Sequence, residues 1–132
     1  MRIHHHHRLS GIVCLLKIYG TFMRGTILIY GASGGIGSAT ARRLHQNGYR
    51  LHLAGRDPER TQALAEELGA SYSIGDVLDD ASIARITAEA GETLEGLVYA
   101  VGSITLRALS RINRADFLRD YELNAVSAAL AV

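Results

Sequence analysis

Beyond residue 25 the chain alternates short apolar runs with longer stretches in which apolar positions recur every three or four residues. Thr26–Tyr30 (TILIY) is β-rich and predicts a buried first strand running into glycine. Ile36–Gln46 carries apolar or small residues at Ile36, Ala39, Thr40 and Leu44, a helical spacing that Asn47-Gly48 closes. Arg50–Ala54 predicts a second strand. Asp57-Pro58 then marks a helix start, with Asp57 as N-cap and Pro58 in the first helical position, and Gly69 ends that helix after Leu68. Ser71–Ile74 predicts a third strand and Asp79–Ala90 a helix with Ile83, Ile86 and Ala90 on one face. Leu97–Val101 predicts a fourth strand, and Arg114 to the end one long helix.

The order βαβαβαβα with short links predicts an α/β fold: a Rossmann-type, doubly wound parallel sheet, three layers α/β/α, truncated after about four strands. The last helix runs out in Ala128-Ala129-Leu130-Ala131-Val132 with no Gly, Pro or basic cap, so we expect the chain to stop in mid-element. Phe117, Leu118, Tyr121, Leu123, Val126 and Leu130 spread around more than one face of that helix, which predicts burial on both sides. Residues 1–22 read differently. Four consecutive histidines, His4–His7, precede a brief apolar run, Gly11–Leu16, too short for a secretory signal. We read residues 1–22 as a leader or misassigned upstream sequence, with Met23 as the natural start, and residues 23–132, which carry a glycine-rich turn at Gly31–Gly37 between the first strand and first helix, as the N-terminal part of a dinucleotide-binding domain.

Composition narrows the partners. A formal net charge of +1 gives no reason to expect nucleic acid or a lipid surface. No run of about 20 apolar residues exists, so no transmembrane helix is expected. Cys14 is the single cysteine, which excludes an internal disulfide framework and fits a cytoplasmic protein. His45 and His52 lack partners at ligand spacing, so no metal site is expected. Asp79-Asp80 reads as a pair favoured by the helix dipole, and Glu66-Glu67 as a solvated face.

Gly31-Ala32-Ser33-Gly34-Gly35-Ile36-Gly37 lies between the first strand and first helix. Glycine permits a tight turn and close approach of backbone to a pyrophosphate, while a helix N-terminus offers free N–H groups and partial positive charge. An ATP- or GTP-binding P-loop needs Gly-Lys-Ser/Thr, and the only lysine is Lys17. A bare adenosine cofactor such as S-adenosylmethionine suits the seven-residue loop less well.

With these features the sequence resembles the short-chain dehydrogenase/reductase family over residues 26–132. Gly31, Gly35 and Gly37 match the family's Gly-x-x-x-Gly-x-Gly loop, while Gly31, Gly34 and Gly37 also fit its extended branch of epimerases and other sugar-nucleotide enzymes. Asp76-Val77 resembles the Asp-Val that meets the adenine and favours the shorter branch. Tyr99-Ala100-Val101-Gly102 stands where the family usually has Asn-Asn-Ala-Gly, and Asn124 matches the asparagine that supports a proton relay. The resemblance implies dinucleotide contacts from Gly31, Ser33, Gly34, Gly35, Ile36, Gly37, Arg56, Asp76, Val77, Ala100 and Gly102. It also implies a small carbonyl or alcohol substrate and a homodimer or homotetramer for the full-length protein. The family's Tyr-x-x-x-Lys pair is absent from these 132 residues, since Lys17 follows Val13 by four and Tyr121 is followed by Ala125. The chain alone is therefore expected to be inactive, with a non-catalytic dinucleotide-binding module or sensor as the alternative.

The cofactor's identity turns on the end of the second strand. A carboxylate there hydrogen-bonds the ribose 2′-hydroxyl of NAD, whereas arginine pairs with the 2′-phosphate of NADP. The family's acidic position falls on Gly55, and Arg56 follows, with Ser33 as a second phosphate contact. This pattern favours NADP(H) over NAD(H). The competing reading takes Asp57 as the ribose acid and gives NAD.

Overall fold

The computed structural model describes residues 25–132; the expectations for residues 1–22, including His4–His7, Cys14 and Lys17, and for Met23 fall outside them. Four parallel strands form one sheet in the order β3-β2-β1-β4. These are β1 Thr26–Tyr30, β2 Arg50–Gly55, β3 Ser71–Ile74 and β4 Leu94–Tyr99. Between them run α1 Gly35–Gln46, α2 Pro58–Leu68 and α3 Asp80–Ala90. After β4 come a 3₁₀ turn at Leu109–Arg111 and α4 Arg114–Tyr121. A π-helical turn at Glu122–Val126 and the short α5 Ser127–Leu130 complete the chain.

Alternation along the strands divides the core into two. Ile27, Ile29, Leu51 and Leu53 face α1 and α2, where they bury Ala41, Leu64, Ala65 and Leu68. Leu28, Tyr30 and Ala54 face the other way, onto Ile83 and Ile86 of α3 and Ala131 beyond α5. Because both faces of β1 are covered, its sequence is a continuous apolar run. The helix boundaries follow the expected chemistry. The Asp57 carboxylate accepts the Arg60 N–H at 3.1 Å with Pro58 behind it, and Gly69 closes α2 at φ 60°.

α1 starts at Gly35, β2 ends at Gly55 and α3 starts at Asp80, each one residue from the predicted boundary, and the strand after α3 differs by more. β4 begins at Leu94 and ends at Tyr99, whereas the apolar run places it at Leu97–Val101. Glu95 and Gly96 interrupt that run. The ladder absorbs them by pairing Thr26 with Leu94 and Ile27 with Gly96, which leaves Glu95 in a register shift. Ala100 follows β1 one step further, its N–H donating to the Tyr30 carbonyl at 2.9 Å.

The last helix is not one continuous α-helix. At the π turn the Ser127 N–H donates to the Glu122 carbonyl, one residue further back than α geometry requires. The Leu123 carbonyl, which an α-helix would offer to Ser127, instead receives the Tyr99 hydroxyl at 2.7 Å. A side chain inserted into the ladder is a sufficient cause for such a turn. Nor is this helix buried on both sides. Phe117 is 60% exposed and Tyr121 62%, because among the described residues only the sheet side of the helix has neighbours to pack on.

On the α3 face a polar chain crosses the sheet edge. His52 Nδ1 lies 2.8 Å from the Ser71 hydroxyl and Nε2 lies 2.7 Å from that of Ser73, which in turn donates to Glu89. Since Ser73 donates to the carboxylate, its oxygen must accept from Nε2–H, and Nδ1 must accept from Ser71: the neutral Nε2–H tautomer satisfies every group. Burial lowers the His52 pKa below its ordinary value, with Glu89 opposing. The sequence spacing of His52 gave no hint of an acidic neighbour, because Glu89 arrives from a different element.

Candidate functional site

Strands β1, β2 and β3 progress outward in one direction, and β4 returns to the other side of β1. The carboxyl ends of the strands therefore open a crevice beside β1, the place where open α/β sheets hold ligands. A cleft of about 460 Å3 lies there, bounded by residues immediately after each strand.

Gly31 leaves β1 at φ 72°, a conformation L side chains avoid, and a Cβ on it would come within 2.6 Å of the Ala100 carbonyl. Glycine there lets the loop lie against the end of β4. Gly37 is needed for a different reason: a Cβ would run into the Gly31 carbonyl group and lie 3.0 Å from the Ala32 Cα, all backbone. α1 thus packs directly on the loop. Its N-terminus has no side-chain cap and no acidic residue in the first turn. The first N–H groups and the positive end of the helix dipole are left available to an anion.

The β2 end of the cleft is basic. Arg56, Arg60 and Ser33 line it together with Gly55. Arg56 is largely exposed and only 4.0 Å from Asp76, a contact too long and too solvated to hold it. Asp57 also lines the cleft, but its carboxylate is engaged in capping α2 through the Arg60 N–H. Thr61, fully buried, has a hydroxyl with no hydrogen-bond partner and presses against Gly55, with the Ser33 hydroxyl 3.2 Å from where a Gly55 Cβ would stand. A carboxylate-bearing side chain at position 55 would have to displace both.

Toward β3, Val77 and Leu78 form an apolar wall. Asp76 stands beside it; its carboxylate accepts the Leu78 N–H at 2.9 Å and so fixes the turn. On the β4 side the wall is Ala100, Val101, Gly102 and Ser103, faced by Arg119, Asp120 and Leu123 of the last helical region. Asn124 does not line the cleft. Its amide donates to the Ser103 carbonyl at 2.7 Å and to the Asp120 carbonyl at 2.8 Å, while its oxygen accepts the Ser103 N–H at 3.1 Å.

Of the residues singled out from sequence, Gly31, Ser33, Gly34, Arg56, Val77, Ala100 and Gly102 meet around one cleft. Gly35, Ile36, Gly37, Asp76 and Asn124 lie outside its lining. Gly37 shapes the loop by packing, and Ile36 is 79% exposed at the helix start. The sequence reading missed Arg60, Leu78, Ser103, Arg119 and Asp120. Arg60 was legible in principle, four positions after Arg56 on the first turn of a helix whose cap was identified. Arg119 and Asp120 were not, because their approach depends on how α4 folds back. Among the described residues no group of three or more His, Cys, Asp and Glu side chains could hold a metal ion, and no helix is long and apolar enough to cross a membrane.

Comparison with known proteins bears on this arrangement. The family profile described as short chain dehydrogenase matches residues 25–132. Serine 3-dehydrogenase of Agrobacterium fabrum is 52% identical over 50 residues, covering 38% of this chain and 20% of that protein. The 3-oxoacyl-acyl-carrier-protein reductase FabG of Rickettsia bellii is 33% identical over 101 residues, covering 75% of this chain and 42% of its own length. Among solved structures, BdcA in complex with NADPH superposes with a TM-score of 0.74 at 27% identity, covering 85% of this chain and 46% of that one. The chain thus spans less than half the length of each relative.

Proposed function

Since the chain belongs to the short-chain dehydrogenase family, we propose that residues 25–132 form the cofactor-holding half of a nicotinamide-dinucleotide oxidoreductase that reduces a carbonyl or oxidises an alcohol, with NADP(H) preferred over NAD(H). The observation that carries this reading is the pairing of an uncapped α1 N-terminus with a basic cleft end in which Thr61 and Ser33 fill the space an acidic side chain at position 55 would need. The related structure that holds NADPH supports it.

In this reading the loop Gly31–Gly37 receives the pyrophosphate on backbone N–H groups. Arg56, Arg60 and Ser33 receive the 2′-phosphate, and Val77 and Leu78 flank the adenine with Asp76 fixing their turn. When bound, the dinucleotide would donate a hydride from its nicotinamide ring to a carbonyl or accept one there from an alcohol. These 132 residues contain no Tyr-x-x-x-Lys, so the role assigned to them is to bind and orient; Asn124 holds the Ser103 backbone beside the cleft. No turnover is expected from the chain alone, and the full-length protein is expected to be a cytoplasmic homodimer or homotetramer.

Titration calorimetry with 2′,5′-ADP and 5′-ADP tests the cofactor preference. A charge-assisted arginine–phosphate contact contributes about 1.5–3 kcal/mol, so 2′,5′-ADP is expected to bind roughly tenfold to a hundredfold more tightly, an advantage that Arg56→Ala largely removes. Equal affinities would refute the NADP preference, and no binding of either would refute the cofactor reading itself.

A further inference from the structure

After Gly102 the chain runs back along the last helical region without regular secondary structure, joined to it by three polar contacts at regular intervals. Ser103 exchanges two hydrogen bonds with Asn124. The Thr105 N–H and hydroxyl both donate to Asp120, at 2.9 and 3.1 Å. Arg107 donates to Asp116 at 3.2 Å. Every second residue of the segment thus meets every fourth residue of the helix. An extended chain advances about 6.6 Å in two residues and an α-helix about 6.0 Å in four, so the two repeats run nearly in step.

The middle contact differs from its neighbours. Asp120 is half-buried, lines the cleft, and spends both carboxylate oxygens on Thr105, one on backbone and one on side chain. A carboxylate holding a backbone N–H and a hydroxyl in one residue fixes that residue's position more tightly than either bond would alone. Ala100 is held by the Tyr30 carbonyl and Ser103 by Asn124, and Thr105, two residues beyond Ser103, adds the anchor that fixes the direction in which the chain leaves this wall. Among the described residues no other hydrogen bond or ion pair ties the stretch between Ser103 and Arg107 to the body of the protein.

We propose that Asp120 is a positioning residue: through Thr105 it clamps the Ala100–Ser103 wall against the dinucleotide without bonding to the dinucleotide itself. This rests on the cofactor reading above. Without the clamp the wall is held only at Ala100 by Tyr30 and at Ser103 by Asn124, its outer end samples positions that do not close on the ligand, and binding weakens by the fraction of time the closed position is lost.

The test uses the full chain, with NADPH as probe and two readouts. In Asp120→Ala, NADPH affinity is expected to fall about tenfold, while Asp120→Asn, which keeps an acceptor for the Thr105 N–H, recovers most of it. Thr105→Val in the Asp120→Ala background is expected to add little, because the partner is already gone. Amide hydrogen exchange of the ligand-free protein should show Thr105 protected in the wild type and released in Asp120→Ala. A wild-type chain that does not bind NADPH overturns the cofactor reading and this proposal with it. NADPH affinity within twofold of wild type in Asp120→Ala, or a wild-type Thr105 amide that exchanges freely, overturns this proposal alone.

Discussion

Replacing Tyr99 by Phe removes one oxygen atom and tests how β4 shapes the last helix. In the wild type the phenol reaches the Leu123 carbonyl at 2.7 Å, its ring tilted 44° against Tyr30 with centroids 6.1 Å apart. Phe keeps the ring contact and loses only the hydroxyl. A neutral intramolecular hydrogen bond contributes about 1 kcal/mol net, and a buried carbonyl left without a donor costs about 1–3 kcal/mol more. Here the carbonyl has a remedy. The Ser127 N–H, now one step back on Glu122, can shift to Leu123 and turn the π segment into ordinary α-helix. The expected loss is therefore near the lower figure, about 1 kcal/mol. An unfolding entropy of roughly 2.1 cal/mol/K per residue, over about 110 residues, converts this to a fall in Tm of about 4–5 °C. Thermal and urea unfolding followed by circular dichroism measure it, and amide exchange at Ser127 reports the change of acceptor. A Tm that stays within about 1 °C of wild type would refute the claim that the hydroxyl holds the π turn; a fall beyond about 12 °C would mean that the carbonyl finds no substitute donor.

Other expectations follow from the same geometry. Gly37→Ala places a methyl group into the Gly31 backbone, which cannot yield cheaply, and should cost about 3 kcal/mol by denaturant titration, whereas Gly35→Ala, with nothing within 4 Å, should be neutral or stabilising. Gly55→Asp, the obvious change toward an NAD-type carboxylate, should lower Tm and weaken 2′,5′-ADP without creating tight 5′-ADP binding, because Thr61 and Ser33 occupy the space; clean conversion to NAD preference in calorimetry would contradict that packing. His52 makes stability depend on pH in a known direction. Its folded pKa is depressed by burial below about 6.5, so below that value the unfolded chain binds the proton more readily and stability falls as pH drops through it, until the folded-state pKa is also passed. Urea midpoints between pH 8 and 5 should show this slope, reduced in His52→Gln; an equal slope in both proteins would assign the effect elsewhere.

How far the sequence could be read depended on whether a signal was local. β1, α2 and β3 were legible to the residue because each is bounded by punctuation with a direct physical meaning: Gly31 after the first run, Asp57-Pro58 before the helix, Gly69 in the left-handed conformation after it. β4 was misplaced because Glu95 and Gly96 break the hydrophobic run. Only the pairing with Thr26 and Ile27 reveals that they belong to the strand. The π turn depends on a hydroxyl 24 residues away in sequence, and the His52–Ser73–Glu89 chain on three separate elements. The same division runs through the site. Glycines and Arg56 announce themselves beside their strands, whereas Thr61, Arg119 and Asp120 acquire meaning only once helices are packed.

The contacts at Ser103, Thr105 and Arg107 behave as a vernier. The two scales differ by about 0.6 Å per division, so over three marks they drift by about 1.2 Å, which flexible side chains absorb. A fourth mark would pair Leu109 with Ile112, but the helix has already ended at its Asn113 cap, and the chain instead curls into the turn Leu109–Arg111. The gauge also reads parity. Its even marks, Ile104 and Leu106, are 72% and 84% exposed because the odd ones are engaged. Inserting one residue between Ser103 and Ile104 would swap the two sets, setting Ile104 against the Asp120 carboxylate and Leu106 against that of Asp116.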